Sequence, residues 1–192
     1  MALSASVSAL AAVSGSSTSS AASNSGMFVC MHGLTSSGFD FRTVMEGWSR
    51  AGITAAEPDL PTAKKFEDSN GAGSARRLMD DLGITAVSST NQLFLEESGP
   101  RRAQAVEDLK WKVALAESLG ADRLVIPSAA GQAYTMDDYD QVFENLREAA
   151  EIAKPHNVAL MVEFTRSSTL INNVRTCLDV VRTVDHPNLK FM

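Results

Sequence analysis

Residues 120–163 read GADRLVIPSAAGQAYTMDDYDQVFENLREAAEIAKPHNVALMVE. The stretch holds a short apolar run at 124–126, a longer segment with apolar residues three and four positions apart, and a second apolar run at 158–162. Residues at i, i+3, i+4 and i+7 share one face of a helix, so the middle segment is predicted to be an amphipathic helix. Strand, helix and strand with short connections predict two parallel strands covered by a crossover helix.

The same alternation extends along the chain. Apolar or β-branched runs begin at six places, 26 to 39 residues apart: near Met27, Ile53, Ile84, Arg123, Val158 and Leu189. Helical patterns lie between them. Gly120 and Asn157 stand just before strands, where a residue that tolerates the left-handed conformation ends a helix. The sequence therefore predicts an α/β fold with about six βα units.

Two architectures suit such a pattern, a (β/α)8 barrel and a doubly wound open sheet. After the first strand, the run from His32 through Gly33 lacks the G-x-G-x-x-G of a dinucleotide-binding sheet, and Phe39 stands where a P-loop needs lysine. The mean spacing of roughly 30 residues suits a barrel, whose eight units total about 250 residues. We therefore expect a partial (β/α)8 TIM barrel of about six units.

Composition excludes several classes of protein. Lysine and arginine number 17 against 23 acidic residues, a net charge of −6, which argues against binding nucleic acid through phosphates. No run approaches the ~18 apolar residues of a membrane span. The two cysteines, Cys30 and Cys177, are predicted to be free thiols packed as small hydrophobic residues. These features together predict a soluble, cytoplasmic protein that binds neither nucleic acid nor membrane.

The N-terminal segment differs from the rest of the chain. Residues 2–26 are mostly serine and alanine without a charged side chain, and Arg42 is the first basic residue. Secretory signals and mitochondrial transit peptides both need basic residues early in the sequence. We predict a disordered tail at 1–26, with a weak organellar signal as the alternative, and a barrel domain at 27–192.

Candidate site residues follow the predicted strands, because the carboxyl ends of barrel strands form the active-site face. Glu163 and Glu57 each end a strand and are predicted catalytic carboxylates, and Glu163 is also a predicted metal ligand. For Glu57 the alternative is that a turn at Pro58 directs its side chain away from the mouth. Arg166 is either a substrate-binding group or the partner of Glu163 in a structural ion pair. His32 and Gln92, also near strand ends, are predicted to bind substrate, with a packing role for His32 as the alternative.

Several runs resemble one family. RRAQAVEDLK at 101–110, AESLGADRLVIP at 116–127 and LMVEFTRSSTLINN at 160–173 are similar to sequences of the sugar phosphate isomerase/epimerase family of xylose isomerase-like TIM barrels. The resemblance is strong from residue 101 to the end and looser over 27–94.

The resemblance implies a divalent metal ion (Mn, Mg, Co or Zn) held at the barrel mouth by four side chains. Glu163 matches the glutamate that ends the fifth strand. The aspartate, histidine and glutamate of the sixth, seventh and eighth strands have no counterpart before Met192, so a chain truncated in its sixth strand is expected to lack them. The resemblance also implies a small sugar or polyol substrate and a possible homodimer.

Three functions stay open at this point. The first is a sugar isomerase or epimerase that, in its complete form, uses metal-assisted proton abstraction next to a carbonyl and an enediolate intermediate. The second is a metal-dependent dehydratase of the same family acting on a polyol or dehydroshikimate. The third is a catalytically inactive, truncated remnant.

Overall fold

The computed structural model describes residues 28–92 and 97–192. The tail predicted at 1–26 and the predicted strand start at Met27 lie outside these ranges. Within them the strands are β1 Met31–His32, β2 Ala55–Glu57, β3 Thr85–Ala86, β4 Ser89–Thr90, β5 Arg123–Pro127, β6 Ala159–Glu163 and β7 Leu189–Phe191. The helices are α1 Phe41–Arg50, α2 Leu60–Asn70, α3 Ser74–Asp81, α4 Gly99–Leu119, α5 Met136–Ala153 and α6 Val174–Val184.

All strand pairs are parallel, in the orders β1-β2-β3 and β4-β5-β6-β7. Only two residues separate β3 from β4. The amide of Val87 still bonds the carbonyl of Ala56, whereas the amide of Asn91 bonds the carbonyl of Val125. One stretch of chain thus pairs first with β2 and then with β5. Counted this way, six strand positions alternate with helices, and the predicted partial barrel of six βα units is confirmed.

Several helices begin at residues whose side chains accept free backbone amides, and several end at residues that adopt the left-handed conformation. The carboxylate of Asp59 accepts the amide of Thr62 at the start of α2, and Asn173 does the same for Thr176 in α6. Gly120, at φ 84°, and Asn157, at φ 54°, adopt the left-handed conformation after a helix, as predicted.

The hydrophobic core lies between the outer face of the strands and the helices. In β6, Leu160 and Val162 are buried in this core, whereas Ala159, Met161 and Glu163 alternate onto the opposite, inner face.

The apolar spacing of Ile171, Val174, Leu178, Val181 and Val184 predicts that these residues share the buried face of α6, and the middle of that face is wrong by one residue. Helix α6 buries Val184 as expected, but it buries Cys177 and Val180 in place of Leu178 and Val181, which are half-buried, and it leaves Val174 51% exposed. The face is set by a tertiary contact that the spacing does not show: the thiol of Cys177 donates to the carbonyl of Val162, in β6, at 3.4 Å.

Candidate functional site at the carboxyl ends of the strands

Glu163 is the last residue of β6 and lies on the inner face of the barrel. It stands in register with Pro127, the last residue of β5, and its side chain is half-buried. Among the described residues, no cation lies within ion-pair distance of its carboxylate. Arg166 is exposed on the loop that follows and does not pair with Glu163, so the ion-pair alternative is absent from this structure.

Glu57 and His32 end neighbouring strands and face each other in register. The Nε2 atom of His32 lies 3.8 Å from Oε1 of Glu57, which is too long for a hydrogen bond. That oxygen is buried and has no hydrogen-bond partner among the described residues. The Glu57 side chain is 13% exposed and that of His32 is 40% exposed.

The other ring nitrogen of His32 has a local role that the sequence did not reveal. Its Nδ1 atom accepts the amide of Leu34 at 3.1 Å and caps the 3-10 helix Gly33–Ser36. Because Nδ1 accepts this amide, a neutral ring carries its proton on Nε2, the nitrogen that lies 3.8 Å from Oε1 of Glu57. This capping matches the packing alternative for His32; its predicted contact with substrate stays a prediction.

An open cavity of about 500 Å³ is lined by Glu57 and also by Cys30, before β1, and by Asp122 and Arg123, at the start of β5, so it extends to the amino ends of the strands. Asp122 holds the guanidinium of Arg123 at 2.6 Å. Partial burial, reinforced by the charge of Glu57, raises the pKa of the Cys30 thiol. Both cysteines are free as predicted, but Cys30 is exposed rather than packed. Cys177 does fit the prediction, and burial raises the pKa of its thiol to about 11.

Gln92 follows β4 and is half-buried. Its backbone carbonyl accepts a hydrogen bond from Nζ of Lys112 at 3.2 Å. Lys112, on α4, is 6% exposed, and burial lowers the pKa of its ammonium group despite the opposing charges of Asp108 and Asp59. Sequence reasoning missed Lys112, although it lies at helical spacing from Leu109 within the buried stripe of α4.

The loop after Glu163, residues 164–173, is bonded to the loop after β5. The amide of Thr169 donates to the carbonyl of Ala130 at 2.9 Å, and its hydroxyl also bonds the carbonyl of Gln132. The hydroxyl of Tyr139, in α5, donates to the carbonyl of Leu170 at 2.8 Å. The wall of the mouth beside Glu163 is therefore held by the neighbouring βα unit.

A divalent metal needs about six oxygen or nitrogen donors. Across residues 28–92 and 97–192, no three His, Cys, Asp or Glu side chains are grouped so that they could hold a metal ion. The carboxylate of Glu163 is a suitable metal ligand, but the described residues do not complete a ligand set around it. They therefore do not fit the metal that the resemblance implies. In the same ranges, no helix is both long and apolar enough to cross a bilayer.

Comparison with solved structures supports the fold. The probable 3-DHS dehydratase AsbF from Bacillus anthracis is 16% identical to this chain with a TM-score of 0.72, and the match covers 86% of this chain and 62% of that one. The IolI protein with a bound zinc atom is 16% identical with a TM-score of 0.74, covering 85% and 61%. D-psicose 3-epimerase with D-tagatose, from Clostridium cellulolyticum H10, is 18% identical with a TM-score of 0.68, covering 85% and 62%.

The chain spans about three-fifths of the length of these structures. No curated protein matches its sequence. The family model described as xylose isomerase-like TIM barrel matches residues 46–192, which is most of the chain. The protein therefore belongs to the xylose isomerase-like TIM barrel family.

Proposed function

We propose that this chain carries the proton-transfer carboxylate of a sugar isomerase or epimerase, with Glu163 as the acid and base. The position of Glu163 carries the proposal: it ends β6 on the inner face, half-buried, with no ion-pair partner among the described residues. A carboxylate in such a place is costly to desolvate unless a ligand compensates it. The structural likeness to an epimerase with D-tagatose suggests a small sugar or polyol as that ligand.

The proposed reaction is proton transfer next to a carbonyl. Glu163 would remove a proton from the carbon beside the carbonyl, leaving an enediolate. In an isomerase it would return that proton to the neighbouring carbon on the same face; in an epimerase a second acid, for which Glu57 is the predicted carboxylate, would protonate the opposite face while Glu163 keeps the proton it removed. The described residues do not assemble a metal site, so this proposal gives Glu163 the proton transfer alone. No described residue is assigned to the stabilisation of the enediolate oxygen.

A dehydratase is the second candidate, because the same first step serves both reactions. After a carboxylate has taken the proton beside the carbonyl, loss of hydroxide from the next carbon gives the unsaturated product. The structural likeness to the probable 3-DHS dehydratase favours including dehydroshikimate among the substrates tested. Glu57 stays a predicted second carboxylate, and Gln92 and Arg166 stay predicted substrate-binding residues.

Proton exchange in D₂O tests the proposal directly. The chain is incubated with D-fructose, D-psicose or D-tagatose in parallel samples with and without added Mn²⁺, and loss of the ¹H signal beside the carbonyl is followed by NMR. A parallel sample with dehydroshikimate is followed for its dehydrated product. We expect exchange or dehydration by the wild type and a loss of at least a hundredfold in Glu163→Gln, because the amide cannot accept the proton.

Glu107→Gln is the matched control. Glu107 is an exposed glutamate that pairs with Lys110 at 2.7 Å on α4, so its substitution should leave the rate unchanged. Undiminished exchange in Glu163→Gln would refute the assignment of Glu163. A wild-type chain without exchange or dehydration on any of these substrates would instead support the inactive-remnant alternative.

A further inference from the structure

The loop that follows Glu163 folds back on itself. The amide of Thr165 donates to the carbonyl of Ile171 at 3.1 Å, and the amide of Ser168 donates to the carbonyl of Thr165 at 2.8 Å. Ser168 lies at the centre of this turn and is 3% exposed. A buried hydroxyl must satisfy its own hydrogen-bonding groups, so its partners show which parts of the site it connects.

The hydrogen bonds of Ser168 can be assigned a direction. Its Oγ accepts the amides of Leu170 at 3.1 Å and Ile171 at 3.3 Å, and it lies 2.8 Å from Oγ of Ser128. A hydroxyl has two lone pairs and one proton. Both lone pairs of Ser168 are occupied by amides, so its proton is the one that bonds Ser128.

Ser128 connects this loop to the candidate catalytic carboxylate. It is the first residue after β5 and is buried beside the helix layer. Its backbone amide donates to the carbonyl of Glu163 at 3.0 Å. Two hydrogen bonds therefore link Ser168, through Ser128, to the backbone of Glu163.

We propose that Ser168 is a positioning residue that orients Glu163 through Ser128. The inference rests on the proposed role of Glu163 as the acid and base. Proton transfer requires the carboxylate within hydrogen-bond reach of the reacting carbon's proton, and displacement by about 1 Å can lower a rate a hundredfold. The buried serine pair restrains the strand end from which that carboxylate projects.

Ser128→Ala separates positioning from folding of the loop. It removes the hydroxyl that receives the proton of Ser168 but leaves both amide bonds to Ser168 in place. Ser168→Ala removes all three bonds and is the second variant. Ser89→Ala is the matched control, because Ser89 is a fully buried strand serine whose hydroxyl has no partner among the described residues.

Two measurements are made on the intact chain. The first is the ¹³C chemical shift of the Glu163 side-chain carboxyl at fixed pH, assigned with Glu163→Gln. The second is kcat and KM for whichever substrate the exchange assay identifies. We expect Ser128→Ala to move the Glu163 resonance and to lower kcat by about tenfold or more while KM changes less than about twofold. Ser89→Ala should change neither.

Ser128→Ala with an unchanged Glu163 resonance and unchanged kcat would overturn the proposal. The proposal would also be overturned if Ser168→Ala changed only the amide resonances of Leu170 and Ile171. The serine pair would then stabilise the loop without orienting Glu163. If Ser168→Ala does not fold, Ser128→Ala decides. If the wild type turns over no substrate, the proposed function fails, but the carboxyl resonance still decides whether the serine pair positions Glu163.

Discussion

The charged side chains that are buried or half-buried show how far single residues could be predicted from the sequence. Glu163 and Glu57 could be named from sequence because the strand-end rule needs only the strand boundaries. Lys112 could not, because lysine within a buried helical stripe is rare and the partner of its ammonium group, the carbonyl of Gln92, lies 20 residues away in sequence. The capping of Leu34 by His32 was likewise hidden, since an imidazole near a strand end also suits a binding role.

Lys112→Ala should lower the free energy of unfolding by about 2 kcal/mol or more, because the buried stem leaves a cavity and the carbonyl of Gln92 loses its donor. The control is Lys110→Ala on the same helix. Lys110 makes an exposed pair with Glu107, so its loss should cost less than about 0.5 kcal/mol. Urea unfolding measures both variants, and equal effects would contradict the structural role of Lys112.

At the scale of elements, the presence of amphipathic helices between the strands followed from local signals, whereas the buried face of each helix required packing. Most of the stripe predicted for α5, including Val142 and Leu146, is buried as expected. In α6 the predicted face included Val174, but the contact of Cys177 with the end of β6 places Val174 in solvent. Ends of helices were easier to predict, because caps such as Asn157 act through the residue's own backbone.

The start of α5 gives a prediction about pH. The carboxylate of Asp138 accepts both the amide and the hydroxyl of Thr135, and these bonds hold the pKa of Asp138 below its ordinary value. A carboxyl whose pKa is lower in the folded state stabilises the fold above its unfolded pKa of about 3.9. That contribution is lost as the pH falls through the lower folded pKa.

We therefore expect Asp138→Asn to have a lower Tm than the wild type at pH 7, with the difference shrinking as pH falls below about 4. Thermal unfolding followed by circular dichroism from pH 7 to pH 3 measures this. Asp137→Asn, at the neighbouring exposed position, is the control. A Tm difference that stays constant with pH would mean that the charge of Asp138 does not support the cap.

At the scale of the whole molecule, the strands of the two sheets differ in how many residues they pair with their neighbours. β5 and β6 share five register pairs, and β6 is flanked on both sides, by β5 and β7. β1 joins β2 through only two pairs. Stability within a fold varies with such local density of hydrogen bonds and packing. The homodimer expected from the resemblance stays a prediction.

Hydrogen exchange should report this asymmetry. We expect the amides of β5 and β6 to exchange at least about tenfold more slowly than those of β1, because β1 can open with the loss of few contacts. Native-state exchange followed by NMR measures the rates residue by residue. Protection of β1 equal to that of β6 would indicate that the two sheets open as one unit.

The sequence by itself determined that strands alternate with helical segments, that the strands pair in parallel, and that Glu163 and Glu57 lie at strand ends. Each of these depends on periodicity, capping and chain connectivity, which act over a few residues or a single βα unit. Only the tertiary structure decided that one strand divides into β3 and β4, that Glu163 does not pair with Arg166, and that Ser168 reaches Glu163 through Ser128. These features depend on contacts between segments that are distant in sequence. The local sequence does not show which of several similar polar side chains will lie close enough to bond.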